Sequence, residues 1–269
     1  MKKHSLVCCT TAHLFLAILS IALVSCEKVI DVDLNSSSPQ IVIEGAITDG
    51  PGPYVVMLTQ TVNFDETNVF PPVTSATIAL RDDLGNSESL MESSPGMYRT
   101  STIRGIPGRK YTLTVSANGK EYTASSTMPA PVSIDSLSVR TQSFAKNQQK
   151  VINVHFEDPA EVKNYYRFVE VRNGIKQKFI FLDDDRAQDG NSVTSALLAD
   201  NDTLRTGDSV LVLLQGIDKG VFDYFSAMGQ ESGGGPGTAS PTNPPSNLTN
   251  GALGYFSACA VRSRLIVIQ

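Results

Sequence analysis

Residues 183–191 contain the side chains best suited to hold a metal ion. Four aspartates stand there, followed by a Gly-Asn pair, and oxygen donors at alternate positions before a glycine are typical of a calcium loop. The candidate ligands are Asp183, Asp185 and Asp189. The spacing does not fit an EF-hand, because no glutamate occupies the closing position. A solvated acidic loop without metal is therefore the favoured interpretation, and a calcium site is the alternative.

Hydrolytic chemistry would have to use His155, the one histidine that follows residue 25, because a serine or cysteine nucleophile needs a general base. This histidine lies on the more polar face of a strand-like segment, residues 151–156. The chain has no Gly-x-Ser-x-Gly motif and no phosphate-binding glycine loop. A single histidine also excludes zinc sites built from a histidine cluster. We expect no enzymatic activity and no catalytic residues.

The strongest chemical signal is Cys26, at the end of an apolar run. Lys2 and Lys3 precede an apolar stretch over residues 14–24, which is the pattern of a cleaved secretory signal. The run holds about a dozen residues, fewer than the roughly 20 that cross a bilayer. The Leu-Val-Ser-Cys sequence that ends at Cys26 resembles a bacterial lipobox. This resemblance implies removal of residues 1–25 as a signal peptide and a covalent lipid on Cys26.

The residues around the anchor predict its membrane. Two or three acyl chains hold a protein on a bilayer stably, at about 0.8 kcal/mol for each buried methylene. Glu27 replaces the aspartate that retains lipoproteins at the inner membrane, so the outer membrane is favoured. The charged start of the segment 26–39, the lipidated N terminus and tether, resembles surface-export stretches. The cell-surface side is thus favoured and the periplasmic side stays open, while an ordinary signal peptide with a chance cysteine is the alternative to lipidation.

Composition excludes several kinds of partner. Removal of the signal leaves 20 basic against 27 acidic residues, a net charge of −7. Such an acidic chain is not expected to bind nucleic acid or to dock electrostatically on anionic lipid. With Cys8 and Cys9 removed and Cys26 acylated, Cys259 is the last cysteine, so neither an intramolecular disulfide nor a cysteine metal site is expected. We predict that Cys259 is a small buried core residue.

Strand signals dominate residues 40–127, which we predict to form an immunoglobulin- or prealbumin-like β-sandwich. Tyr111, Leu113 and Val115 alternate with polar residues, and Asn118-Gly119 follows. Asn-Gly accepts positive φ at both central positions of a turn and therefore predicts a type I′ hairpin. Strand-like segments recur every ~8–12 residues with turn residues between them, as in sandwiches.

A second domain is predicted over residues 132–269. The Met-Pro-Ala-Pro sequence at 128–131 is typical of an extended linker, and ~240 mature residues fit two ordinary domains. The strand pattern resumes after the linker, so this domain is expected to be β-rich. One short helix is predicted from Asp218, its cap, to about Gln230.

Residues 243–258 form a segment dense in proline, asparagine and glycine, which predicts a shaped loop leading into a strand. The favoured interpretation is a folding lock for the second domain. The alternative is the rim of a ligand or receptor contact, whose candidate binding residues are Asn243, Asn247 and Tyr255.

This terminal segment resembles the closing signature of a lipoprotein family of Bacteroidota whose shared domain has no known function. The motif Ile-Val-Ile-Glu-Gly at 41–45, Gly-Met-Tyr at 96–98 and Gly-Arg-Lys-Tyr-Thr-Leu at 108–113 resemble the same family. The likeness covers essentially the whole mature chain.

Members of that family are often encoded beside TonB-dependent outer-membrane receptors. The resemblance therefore implies a non-catalytic accessory or ligand-binding subunit of a TonB-dependent nutrient uptake system, with the nutrient unspecified. A structural or adhesive cell-surface lipoprotein without a transporter partner is the alternative. The resemblance supplies no binding or catalytic residues and no cofactor other than the covalent lipid on Cys26.

Overall fold

The computed structural model describes residues 38–63, 66–67, 69–144, 147–187, 189–198, 204–232 and 243–269. The predicted signal peptide and the predicted lipid attachment at Cys26 lie outside the described residues. Residues 38–269 form one compact unit. Within the described residues, no helix has the length and apolar character needed to cross a membrane.

The described parts of the chain contain sixteen strands and one α-helix, and a 3₁₀ turn covers Asp185–Ala187. In chain order these strands and the helix are β1 (Ile41–Thr48), β2 (Val55–Gln60), β3 (Thr77–Asp82), β4 (Ser87–Ser89), β5 (Met91–Ser94), β6 (Met97–Arg99), β7 (Lys110–Ala117), β8 (Lys120–Thr127), β9 (Ser136–Phe144), β10 (Asn147–Glu157), β11 (Tyr165–Arg172), β12 (Ile175–Lys176), β13 (Phe181–Asp184), β14 (Ser192–Leu197), β15 (Ser209–Gly216), α1 (Lys219–Ser232) and β16 (Leu253–Val267).

The strands assemble into three sheets. The largest has the order β12-β11-β15-β16-β1-β2-β6-β5, with β13 also paired to β11. A three-stranded sheet has the order β14-β10-β9, and a four-stranded sheet the order β4-β3-β7-β8. Burial alternates along β1, β7 and β15 because successive side chains of a strand point to opposite faces. One face of each of these strands is therefore available to a core.

Two apolar cores join the large sheet to the two smaller ones. The first core combines it with the four-stranded sheet, through side chains such as Ile43 and Leu113. The second combines it with the three-stranded sheet, where the Phe156 and Phe168 rings lie 6.0 Å apart. Packing of sheet against sheet is the arrangement of a β-sandwich. The predicted mainly-β fold with one short helix is therefore confirmed.

The boundary between the two cores falls at the predicted linker, but a later part of the chain returns to the first core. The first core draws on residues 41–128 and also on residues 248–260, while the second draws on residues 132–214 and Ile268. The terminal segment therefore packs with the first core, although the sequence pattern assigned it to the second domain. The large sheet continues across the linker, and the division into two separate domains stays a prediction.

Local signals produced the expected hairpin and helix. Asn118 and Gly119 have φ of +52° and +72° and join β7 to β8 in a two-residue turn, as a type I′ hairpin requires. Helix α1 begins after Asp218, whose Oδ1 accepts the backbone N–H of Val221 at 3.0 Å. This is an N-cap, since it satisfies a donor that the first helical turn leaves free.

Strand β16 changes its neighbour halfway along. Its residues 253–259 pair in parallel with β1, and residues 260–267 pair antiparallel with β15. Asp49, just after β1, holds this point: Oδ1 accepts the N–H of Val261 at 2.8 Å and Oδ2 accepts the Arg262 guanidinium at 2.6 Å. The first and last strands of the described fold are thus hydrogen-bonded to each other.

Gly254 permits the close approach of β1 and β16, and its replacement tests that approach. Its φ is +92°, and a Cβ there would lie 2.1 Å from the carbonyl oxygen of Ile43. Gly251 has a φ of +75° but no atom within 4 Å of such a Cβ. A positive φ costs an L-residue ~1–2 kcal/mol, so we expect that loss for Gly251→Ala. For Gly254→Ala we expect a loss of ~3 kcal/mol or more, because the clash adds to the strain.

Urea unfolding of the two alanine variants beside the unchanged protein measures the difference. Equal losses of unfolding free energy in Gly251→Ala and Gly254→Ala would contradict a steric requirement at the β1–β16 contact.

Candidate functional site

Three aspartates meet where the loop after β10 approaches the loop after β13. One carboxylate oxygen from each of Asp158, Asp185 and Asp189, together termed the acidic cluster, lies within 4.8 Å of those of the other two. Asp158 and Asp185 are buried, whereas Asp189 is exposed. The cluster therefore extends from the protein interior to solvent.

Each carboxylate of the acidic cluster is oriented by one hydrogen bond and has a second oxygen with no hydrogen-bond partner among the described residues. The donors are the Tyr166 hydroxyl to Oδ1 of Asp158, the N–H of Asn164 to Oδ2 of Asp185 at 3.0 Å, and the N–H of Glu161 to Oδ1 of Asp189 at 2.9 Å. Asp158 is 4% exposed, and no described residue forms a hydrogen bond with its buried Oδ2. Buried carboxylate oxygens are usually hydrogen-bonded, so this one is an exception that requires a cause.

The nearest charged and titratable groups do not neutralise the acidic cluster. Burial and the hydrogen bond to Asp158 raise the pKa of Tyr166 well above its usual range, so the hydroxyl stays protonated and remains a donor. Arg186 pairs instead with Asp184, at 2.7 Å. Among the described residues, no lysine or arginine forms an ion pair with the cluster.

The sequence pattern identified two of the three members. Asp183, predicted beside Asp185 and Asp189, lies outside the cluster, because its Oδ2 accepts the Ser195 hydroxyl of the neighbouring strand β14. Asp158 takes the third place, from a loop earlier in the chain. A polar Glu-Asp-Pro turn at the end of a strand was the signal available for it, but nothing local relates that turn to residues 183–191.

His155 is held between two hydroxyls on the three-stranded sheet. Its Nε2 lies 2.8 Å from Oγ of Ser138 in β9, and its Nδ1 lies 2.9 Å from Oγ1 of Thr194 in β14. Both ring nitrogens are thus occupied, and no carboxylate is among the described partners that orient the ring. The arrangement satisfies a histidine on a sheet face and supplies none of the orienting charge of a catalytic triad.

Cys259 is buried in the contact of α1 with the large sheet, as predicted. Burial raises the pKa of its thiol to about 11. A thiol in that state is protonated near neutral pH and is a poor nucleophile.

The three predicted binding residues of the terminal segment have different environments. Asn247 pairs with the backbone of Phe256: its Nδ2 donates to the carbonyl oxygen at 2.7 Å, and its Oδ1 accepts the N–H at 3.0 Å. Tyr255 packs under α1, 5.0 Å from Tyr224 between ring centroids. Asn243 is exposed and has no hydrogen-bond partner among the described residues. The structure therefore does not assemble these three into one site.

The same segment is fastened to β8. Thr249 and Thr123 exchange hydrogen bonds at 2.8 and 2.9 Å, and Nδ2 of Asn250 donates to the carbonyl oxygen of Glu121 at 2.7 Å. These contacts connect the end of the chain to the edge of the four-stranded sheet. They favour the interpretation as a folding lock, with the first core as its target.

A positively charged group that sequence reasoning missed lies beneath α1. The Arg167 guanidinium is 3.9 Å from the Phe225 ring centroid, close enough for a cation–π contact. Nη1 donates to Gln215 at 3.1 Å, while the buried Nε finds no acceptor within the described parts of the chain. Desolvation lowers the pKa of Arg167. Arg167 lies in a strand, on the face that the helix covers. Because the helix is distant in sequence, no local pattern predicted this contact.

A cleft of about 440 Å³ lies beside the turn between β3 and β4, and Glu88 forms part of its wall. Burial would raise the pKa of Glu88, but hydrogen bonds from Ser101, Thr102 and Ile103 lower it to about 2. The Glu88 carboxylate is therefore ionised, and its hydrogen bonds hold the loop of residues 101–103 in place. This indicates a structural role for Glu88 in the cleft wall.

A family model covers most of the chain. Residues 27–264 match the model of a family described as a domain of unknown function (DUF4249), and the chain belongs to this family. The matched region begins directly after Cys26 and includes every element from β1 to α1 and most of β16. No curated protein matches the chain.

Asn247 provides a direct test of the folding-lock interpretation. The side-chain amide of Asn247 forms the two hydrogen bonds that a neighbouring strand would otherwise form with the backbone of Phe256. Asn247→Ala therefore removes the partners of the N–H and C=O of Phe256, which are half-buried. We expect a loss of ~2–3 kcal/mol in the free energy of unfolding. Asn243→Ala, in the same segment, is the matched control and should change stability by less than ~0.5 kcal/mol. Chemical denaturation measures both, and a neutral Asn247→Ala would contradict the structural role.

Proposed function

We propose that this chain is an outer-membrane lipoprotein that acts as a non-catalytic accessory or ligand-binding subunit of a TonB-dependent nutrient uptake system. The observation that carries the proposal is Cys26 at the end of a signal-like segment, with the family domain starting at the next residue. The lipobox-like sequence supplies the anchor, and the family resemblance suggests the receptor as partner.

The proposed anchor confines the folded part to a thin layer at the membrane. Ser38, where the compact unit begins, is twelve residues after Cys26, and such a tether reaches ~40 Å at most when fully extended. Confinement with a receptor in the same membrane raises the effective concentration of each partner for the other. A weak protein interface is sufficient under that condition.

The charge of the chain favours a lipid anchor over electrostatic attachment. The mature chain carries a net charge of −7, and acidic proteins are repelled by anionic lipid headgroups. Membrane binding would therefore depend on the acyl chains at Cys26 and on the protein partner.

One edge of the large sheet supports a binding role. Strand β5 ends that sheet and pairs only with β6 among the described strands. Met91 on β5 is 75% exposed, and Met57 lies opposite Met97 on the adjoining strands. Unpaired strand edges and flexible methionine side chains are features of adaptable protein contacts.

The reactive groups support a non-catalytic role. His155 is occupied by two hydroxyls, the thiol of Cys259 is buried and protonated, and Glu88 is bound by backbone N–H groups. Nucleophilic and acid–base catalysis need a reactive atom that substrate can reach and a second group that orients it. Neither His155, Cys259 nor Glu88 has both.

Affinity purification of the acylated protein from gently solubilised membranes, followed by mass spectrometry, tests the proposal. We expect one large outer-membrane receptor in near-equal amount. Cys26→Ala is the matched control: without the anchor, the protein should leave the membrane fraction and recover little receptor. Recovery of the acylated protein alone, in extracts that retain known outer-membrane complexes, would contradict the uptake role and favour the structural or adhesive alternative.

A further inference from the structure

We propose that the acidic cluster of Asp158, Asp185 and Asp189 binds a calcium ion. The inference rests on the geometry of these side chains and is independent of the uptake role. It assigns to the structure a ligand whose chemical class is a hard divalent cation.

The first argument is the unpaired oxygen of Asp158. Its Oδ1 accepts the Tyr166 hydroxyl, and its buried Oδ2 has no hydrogen-bond partner among the described residues. Asp185, also buried, brings one of its carboxylate oxygens within 4.8 Å of a carboxylate oxygen of Asp158. Two buried carboxylates side by side repel each other and lose hydration. A bound cation removes both costs at once.

The second argument is the way in which the carboxylates are held. Every member of the acidic cluster has one oxygen fixed by a protein donor, and the part of the chain that the structure describes supplies no donor to the other oxygen. Metal sites commonly orient their ligands through such outer hydrogen bonds, which leave a lone pair directed at the ion.

The third argument is distance and donor type. Calcium binds six to eight oxygens at about 2.3–2.6 Å, so two ligands on opposite sides of the ion lie ~4.8 Å apart. The three oxygens lie within 4.8 Å of one another. The cluster contains no sulfur or imidazole, which makes zinc the less suitable ion. Exposed Asp189 leaves one side open for water ligands.

The two loops are fixed relative to each other. The N–H of Asp158 donates to the carbonyl oxygen of Asn191 at 3.0 Å. Gly190 has a φ of +71°, and a Cβ there would lie 2.8 Å from Cβ of Ala160. Glycine therefore permits the approach that brings Asp189 to Asp158. A site built in this way is organised before the ion arrives.

Calcium titration of the full-length acylated protein in detergent, after removal of divalent ions with a chelator, tests the proposal. Isothermal titration calorimetry reports binding, and thermal unfolding with and without Ca²⁺ reports its effect on stability. We expect a midpoint near the ~10⁻⁴–10⁻³ M range of extracellular calcium modules. We also expect a higher melting temperature with Ca²⁺ and a weaker response to Mg²⁺.

Three variants make the titration specific. Asp158→Asn should abolish calcium binding, and Asp189→Asn should weaken it ~10-fold or more. Because Asp189 is exposed, its variant keeps the test valid even if Asp158→Asn fails to fold. Asp183→Asn is the matched control: it lies in the same acidic stretch but outside the cluster, so it should bind calcium as the unchanged protein does.

Two results would overturn the calcium site. The first is an unchanged melting temperature and no binding heat at millimolar Ca²⁺ in the unchanged protein. The second is a calcium response that is equal in Asp189→Asn and Asp183→Asn, which would show diffuse screening of acidic groups.

Discussion

The fifteen residues of β16 form hydrogen bonds with the first strand of the fold on one side and with β15 on the other. Both cores draw on this strand, since Phe256 is buried in the first and Ile266 packs against the second. Pairing β1 with β16 closes a loop of roughly 200 residues. The entropic cost of closure grows only slowly with loop length, but contacts so distant in sequence form late in folding.

A chain of polar contacts connects this strand to the elements around it. The Ser126 hydroxyl of β8 accepts the N–H of Ala258 at 2.7 Å and donates to Oδ2 of Asp218 at 2.5 Å. Asp218 also caps α1. One buried serine thus joins a strand of the four-stranded sheet, the shared strand and the helix. Hydrogen bonds to a carboxylate are stronger than neutral ones, which suits a junction on which three elements depend.

The features that could be predicted from the sequence are those that neighbouring residues determine. The Asn118-Gly119 turn and the cap at Asp218 follow from local backbone preferences, and both are found where they were expected. The mainly-β class follows from strand periodicity in the same way. The parallel pairing of β1 with β16 does not, because period-2 alternation specifies the face of a strand and not its neighbour.

The candidate metal site shows the same limit. Asp185 and Asp189 were found from their spacing, whereas Asp158 joins them only through the approach of two loops. Asp183 stands in β13, where its side chain accepts the hydroxyl of Ser195. Asn247 was recognised as a residue of a shaped loop, but its role as a substitute strand partner depends on the backbone of Phe256.

Hydrogen exchange followed by mass spectrometry, along a denaturant series, tests most directly whether β16 makes residues 38–269 one cooperative unit. Peptides from β1, β15 and β16 should then lose protection together, with one free energy of opening, because β16 pairs with both other strands and its opening removes a partner from each. If peptides of β9, β10 and β15 open while those of β1, β7 and β8 stay protected, the two cores unfold separately. That result would contradict the dependence of both cores on the shared strand β16.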